Sequence, residues 1–136
     1  MRLNQGHYIK NLSWEAVAQR SKQKPIIIIP LGAESKEHGK HLPLGTDAIL
    51  AEKLTERACE NLLANGFSNF LVAPVNNVNY YPAFINYPGS VSLSKETAIN
   101  LIVEICQSYF RRIKMIQQNI IQNLAYGAMP LLQLKK

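Results

Sequence analysis

The sequence contains no uninterrupted run of 18 apolar residues, the length that a membrane-spanning helix requires. Its first seven residues also lack the apolar core of a signal peptide. Only two cysteines occur, Cys59 and Cys106, and both lie in segments with helical apolar spacing. We therefore interpret them as buried free thiols in a reducing compartment, and we predict a cytoplasmic protein with no membrane partner.

Two glycine-rich phosphate-binding patterns are absent, Gly-x-x-x-x-Gly-Lys-Ser/Thr and Gly-x-Gly-x-x-Gly. Acidic residues are absent after Glu104, so the net charge of +6 is concentrated near the C-terminal end. Residues 1–110 hold ten Lys/Arg and nine Asp/Glu, whereas residues 111–136 hold five Lys/Arg and no acid. A basic tail binds nucleic acid weakly, but no aromatic platform or recognised motif accompanies this one. We therefore predict a solvated tail and no nucleic-acid partner.

The apolar pattern predicts one α/β domain that spans residues 1–136. Four β-branched residues in succession, 26–29, are typical of a strand buried on both faces. A helical apolar period follows over residues 48–64, and a second short apolar run covers residues 70–73. This order of strand, helix and strand predicts a mainly parallel sheet in a three-layer α/β/α sandwich.

Polar residues mark the expected ends of the helices. Ser13 and Ser94 are suitable N-caps, and Thr46 or Asp47 is expected to cap the helix that follows them. The pair Asn65–Gly66 predicts that this helix ends at a residue in the left-handed backbone conformation. No Gly or Pro lies between Gly89 and Gly127, so the last helix could run for about 30 residues.

The side chains that could bind a metal or take part in catalysis are concentrated in the loop 30–47, directly after the first predicted strand. This loop holds two imidazoles and three carboxylates, namely His38, His41, Glu34, Glu37 and Asp47. In parallel α/β sheets, ligand sites form at the carboxyl ends of the strands. Imidazole and carboxylate together suit Zn²⁺, Mn²⁺ or Fe²⁺, so the loop predicts a divalent metal site. A solvated surface loop of the same composition is the alternative.

The decamer 38–47, HGKHLPLGTD, resembles the signature of the creatininase (creatinine amidohydrolase) family. It follows an apolar strand and the tripeptide PLG at 30–32, as in that family, and the later segment 87–94, YPGSVSLS, is similar to the family's Pro-Gly-Thr/Ser segment. The resemblance covers residues 12–110. It implies an incomplete creatininase-like sandwich, a homo-oligomer, and metal-dependent hydrolysis of C–N bonds in a small cyclic or linear amide.

The resemblance also implies roles for individual residues. His38 and Asp47 match the spacing of two family metal ligands, and Asp47 corresponds to a carboxylate that bridges two metals. Lys36 stands where the family has a third, carboxylate ligand. Glu37 or Glu34 could take that position, and we favour Glu37 because it adjoins His38. We expect His41 to shape the loop or contact the substrate, and the catalytic residues cannot be assigned.

A second family His and Glu have no counterpart, because no His follows position 41 and no acid follows Glu104. One metal with three protein ligands and water is still a possible catalytic centre. The resemblance fades at about residue 111, where a family member would turn into its next strand, and residues 111–136 form a divergent basic tail. We therefore expect a truncated or altered member. The alternative function is a non-catalytic module that binds or oligomerises.

Overall fold

The computed structural model describes residues 5–113. Two short 3-10 helices, Gln5–His7 and Ile9–Asn11, precede the helix α1, Trp14–Ser21. The elements that follow are the strand β1 (Ile26–Ile28), the helix α2 (Thr46–Ala64), the strand β2 (Phe70–Val72), a 3-10 turn (Pro82–Phe84) and the helix α3 (Lys95–Ile113). The predicted basic tail and the predicted continuation of α3 lie outside the described residues, apart from the last turn of α3.

The two strands form a parallel pair, as the sequence predicted. Ile26 lies opposite Phe70 and Ile28 lies opposite Val72. Each strand is one residue shorter than the apolar run that predicted it. An isolated parallel bridge between Leu31 and Asn76 continues this pairing, and a second one joins Tyr8 to Val72 of β2.

Helices cover both faces of this small sheet. On one face, Ile27 and Leu71 contact Val17 of α1 and Tyr109 of α3. The other face carries a second cluster of buried residues, which includes one side chain of α2: Ile28, Cys59, Phe70 and Val72. Because successive strand residues point to opposite faces, a strand that is apolar at every position needs helices packed on both faces of the sheet. The three-layer α/β/α arrangement is therefore confirmed.

The helix ends follow the predicted caps with one exception. Ser13 and Ser94 each accept a hydrogen bond from the backbone three residues later, at 3.2 Å. Gly66 closes α2 with φ of +78°, a conformation that few residues other than glycine adopt. The prediction that Thr46 or Asp47 caps α2 is wrong, because the helix begins at Thr46 and its N-cap is Gly45, which has no side chain to contribute.

The two thiols lie on opposite faces of the sheet, where they cannot form a disulfide with each other. Cys59 is fully buried against β1 and β2, and Cys106 is partly buried on the α3 side. Both are free, as predicted, but the prediction that both are buried is wrong for Cys106. Within residues 5–113, no helix has the length and hydropathy needed to cross a bilayer.

Candidate metal centre

The loop between β1 and α2 is held at the carboxyl end of the sheet by backbone hydrogen bonds. Gly32 donates to the carbonyl of Asn76, and Glu34 donates to that of Asn77, at 3.1 and 3.0 Å. The loop closes on α2 where Ala48 donates to the carbonyl of Ala33 at 3.1 Å. These bonds join the residues that follow both strands to the first turn of α2. The loop therefore lies where a ligand site of a parallel sheet is expected.

The centre of this region is the carboxylate of Asp47, in the first turn of α2. Its Oδ1 lies 3.4 Å from Nε2 of His38, and its Oδ2 lies 2.5 Å from Nζ of Lys36. All three side chains are at most 15% exposed. Nε2 of His38 is buried and makes no hydrogen bond within the described part of the chain. Apart from the ion pair with Lys36, Oδ2 has no hydrogen-bond partner there either.

Aromatic rings surround the ammonium group of Lys36. Nζ lies 5.1 Å from the ring centre of Phe84 and 5.6 Å from that of Tyr81, within the range of cation–π attraction. Burial, with a smaller effect from the Asp47 carboxylate, raises the pKa of Tyr81 to about 12. Tyr81 therefore remains a neutral phenol at physiological pH. It contributes a ring face to Lys36 and no competing charge.

The two glutamates considered as ligands are directed elsewhere. The Glu37 carboxylate accepts a hydrogen bond from the backbone of Gly39, within its own loop. Glu34 is exposed, and its carboxylate accepts from the Asn77 side chain at 2.5 Å. His41, the expected substrate contact, is exposed. Thus the structure joins His38 to Asp47 and leaves Glu34, Glu37 and His41 outside this pair.

The pair His38–Asp47 has the chemistry of a partial metal site. Two ligands of a tetrahedral ion at about 2.1 Å are separated by about 3.4 Å, which is the separation of Nε2 and Oδ1. A buried imidazole nitrogen without a hydrogen bond is also available for coordination. Nevertheless, no three His, Cys, Asp or Glu side chains in residues 5–113 are grouped closely enough to hold an ion together. The residues present therefore fit a metal through two ligands, and any third ligand requires a rearrangement.

Several contributors to this region were not foreseen from the sequence. Lys36 was identified only as a departure from a ligand pattern, and Phe84 was not considered. Ser90 holds the loop through its Oγ, which accepts from the backbone of Glu37 at 3.2 Å. The one sequence signal for this region is the adjacent aromatic pair Tyr80–Tyr81. Tyr81 packs at Lys36, whereas Tyr80 is 41% exposed.

A parallel sheet between helix layers, with a His–Asp pair at the carboxyl end of its first strand, is an arrangement suited to a hydrolase with a metal centre. The family model described as Creatininase: Creatinine amidohydrolase matches residues 10–117, most of the chain. The chain belongs to the creatininase family.

Relatives with a described activity are hydrolases of different kinds. A 3-dehydro-scyllo-inosose hydrolase of Thermotoga maritima is 28% identical over 106 residues, which cover 77% of this chain and 32% of the relative. A mycofactocin precursor peptide peptidase of Mycolicibacterium smegmatis is 30% identical over 84 residues, 62% of this chain and 34% of the relative. The chain thus spans about a third of the length of these relatives.

Solved creatininases share the fold. The crystal structure of a creatinine amidohydrolase superposes with a TM-score of 0.67 at 21% identity, over 78% of this chain and 40% of the other. A manganese form and a zinc–zinc form of creatininase are also similar, with TM-scores of 0.67 and 0.66. At this identity the likeness supports the creatininase-like sandwich, and the ions in those forms are properties of those proteins.

Proposed function

We propose that this chain supplies two ligands, His38 and Asp47, to the divalent metal of an amidohydrolase that cleaves C–N bonds of a small cyclic or linear amide. The observation that carries the proposal is the 3.4 Å approach of His38 Nε2 to Asp47 Oδ1, with the nitrogen buried and without a hydrogen bond. Manganese and zinc forms of related creatininases support Mn²⁺ or Zn²⁺, and the ligand types also suit Fe²⁺.

The residues of this chain have separate tasks in the proposal. His38 and Asp47 would hold the ion, whose chemistry there would be the activation of water and the polarisation of a carbonyl, the two requirements of amide hydrolysis. Glu37 is proposed as the third ligand, and it must first give up its hydrogen bond with the Gly39 backbone. The exposed imidazole of His41 is proposed to contact the substrate from the solvent side.

Assembly is part of the same proposal, with a second copy of this chain as the partner. Three large apolar side chains of α2 are about half exposed, with fractions between 45% and 54%: Ile49, Leu50 and Leu54. Burying such a patch between copies removes apolar surface from water. Two free thiols are consistent with the predicted cytoplasmic location.

Metal content is the direct test of the proposal. We expect the purified protein of 136 residues to bind Zn²⁺ or Mn²⁺ stoichiometrically after dialysis, and His38→Ala or Asp47→Asn to lose the ion. His41→Ala is the matched control, because it removes an exposed imidazole from the same loop and should keep the metal. Circular dichroism confirms that each variant is folded, and an absence of metal from the folded wild type contradicts the proposal.

Hydrolysis is then measured with the metal-loaded protein. Creatinine and short peptides are suitable first substrates, since related proteins are described by their action on them. We expect His41→Ala to raise KM more than it lowers kcat, because a substrate contact made equally in the ground and transition states affects binding alone.

A second candidate is a non-catalytic module that only oligomerises or binds. It is favoured by the absence of any three-residue metal group within residues 5–113. In that case the folded protein has no metal and no hydrolytic activity, but it still associates. Analytical ultracentrifugation of the wild type and of Leu50→Glu/Leu54→Glu tests the association independently of the metal.

A further inference from the structure

The two oxygens of the Asp47 carboxylate have different surroundings. Oδ1 lies 3.4 Å from an imidazole nitrogen, Nε2 of His38, whereas Oδ2 lies 2.5 Å from a side-chain ammonium, Nζ of Lys36. A divalent ion can share the first position with the imidazole. The second position already contains positive charge, and a cation bound to Oδ2 would need the space that Nζ occupies.

Lys36 is held in this position from several directions. Its backbone N–H donates to the carbonyl of Leu44 at 3.2 Å, which fixes the start of the side chain. Its ammonium lies between the carboxylate and the rings of Tyr81 and Phe84, and the side chain is only 12% exposed. A lysine on a solvated loop face normally keeps its ammonium in water. The enclosure of Lys36 therefore indicates a specific role for its charge.

We infer that the Lys36 ammonium is a resident cation of Asp47, that is, a permanent counter-ion of its carboxylate. The ammonium occupies the position next to Oδ2 and restricts the centre to a single divalent ion on the Oδ1 side. The inference rests on the proposed function for the ion at Oδ1, but the pairing of Lys36 with Asp47 is independent of it. In protein without metal, the ammonium neutralises a carboxylate that is 85% shielded from solvent. In protein with metal, the same ammonium repels a second ion and lowers the affinity for the first.

The first experiment uses metal-free protein and decides whether Lys36 is the counter-ion of Asp47. Lys36→Met keeps the length and packing of the side chain but removes its charge. We expect Lys36→Met to lower Tm by about 5–10 °C, since it leaves a buried carboxylate uncompensated. The double variant Lys36→Met/Asp47→Asn should recover more than half of that loss. The control is Lys40→Met, on the same loop with an exposed lysine, which should change Tm by less than about 2 °C.

The second experiment titrates Zn²⁺ against a competing chelator of known affinity. Wild-type protein should bind one equivalent, and Lys36→Met should bind that equivalent at least about tenfold more tightly, because the repulsion is gone. Lys36→Glu, with a carboxylate in place of the ammonium, should bind more than one equivalent. Lys40→Met should behave as wild type.

The outcomes separate this inference from the proposed function. If no variant binds metal but the pattern of Tm values holds, the proposed function fails and Lys36 remains the resident cation. If Lys36→Met binds metal as wild type does or more weakly, or if wild type binds two ions that Asp47→Asn loses, the inference is overturned. It is also overturned if Lys36→Met loses no more stability than Lys40→Met.

Discussion

Gly32 lies directly against the backbone of Asp47. A Cβ added to Gly32 would stand 2.5 Å from the Asp47 carbonyl oxygen and 2.8 Å from Cα of Ala48. Both contacts are closer than van der Waals packing permits, and neither atom belongs to a side chain that could move away. The loop after β1 and the first turn of α2 therefore approach each other this closely only because residue 32 has no side chain.

We expect Gly32→Ala to separate these elements, with a fall in Tm of about 5–15 °C and a weaker hold on any metal at Asp47. The control is Gly6→Ala, where an added Cβ meets its nearest neighbour, the Arg20 guanidinium, at an ordinary 3.6 Å. Thermal unfolding followed by circular dichroism measures both. Equal effects of the two substitutions would show that the approach at Gly32 is not a constraint.

Tyr81 contributes its ring to the site and not its hydroxyl group. Its phenol is neutral at pH 7, and burial with the Asp47 charge raises its pKa further, to about 12; its ring centre lies 5.6 Å from the Lys36 ammonium. Tyr81→Phe should therefore retain stability within about 0.5 kcal/mol, whereas Tyr81→Leu should lose about 1–2 kcal/mol through lost packing and cation–π attraction. Urea denaturation at pH 7 measures the difference. Similar losses in the two variants would instead assign the role to the hydroxyl group.

Ser90 connects the segment before α3 to the loop between β1 and α2. Its Oγ accepts from the Glu37 backbone at 3.2 Å, and the next residue, Val91, donates to the carbonyl of Ser35 at 2.9 Å. Ser90→Ala removes the first bond alone, so we expect a three- to tenfold loss of Zn²⁺ affinity with a small change in Tm, about 1–3 °C. Ser108→Ala, at an exposed position of α3, is the control. Unchanged affinity in Ser90→Ala would show that the bond does not position the loop.

Cys59 makes stability depend on pH in the alkaline range. Burial, with a smaller effect of Glu60, raises the pKa of its thiol from 9.0 to about 11. The folded state therefore holds the thiol proton more tightly than the unfolded state. This stabilisation is complete below pH 9 and is lost as the pH rises from 9 towards 11.

The test compares wild type with Cys59→Ala, since both contain the same tyrosines. The stability advantage of wild type should shrink by about 1–2 kcal/mol between pH 8 and pH 10.5 in urea denaturation. Cys106→Ala is the second thiol variant to compare, because burial also raises the pKa of this partly buried thiol, and its pH dependence should therefore have the same sign. A difference between wild type and Cys59→Ala that does not change with pH would contradict the shifted pKa.

Local pattern was sufficient for the framework of the fold. The buried strand at the β-branched run 26–29 and the N-caps at Ser13 and Ser94 were predicted correctly, because burial on two faces and helix capping depend on neighbouring residues. The pairing of His38 with Asp47 was predicted from a family motif, because the spacing of the motif reflects the path of the loop.

The remaining features depend on contacts between distant segments. The ion pair of Lys36 with Asp47 and its aromatic enclosure join residues 36, 47, 81 and 84, which no local pattern connects. The cap of α2 was misassigned for a related reason. The helix begins at Thr46, and the Asp47 carboxylate in its first turn pairs with the Lys36 ammonium at 2.5 Å.

The location of Asp47 in the first turn of α2 has an evolutionary consequence. Its negative charge favours the positive end of the helix, and the same carboxylate is the centre of the candidate site. A change at position 47 therefore alters folding and chemistry together, so that neither property can drift alone.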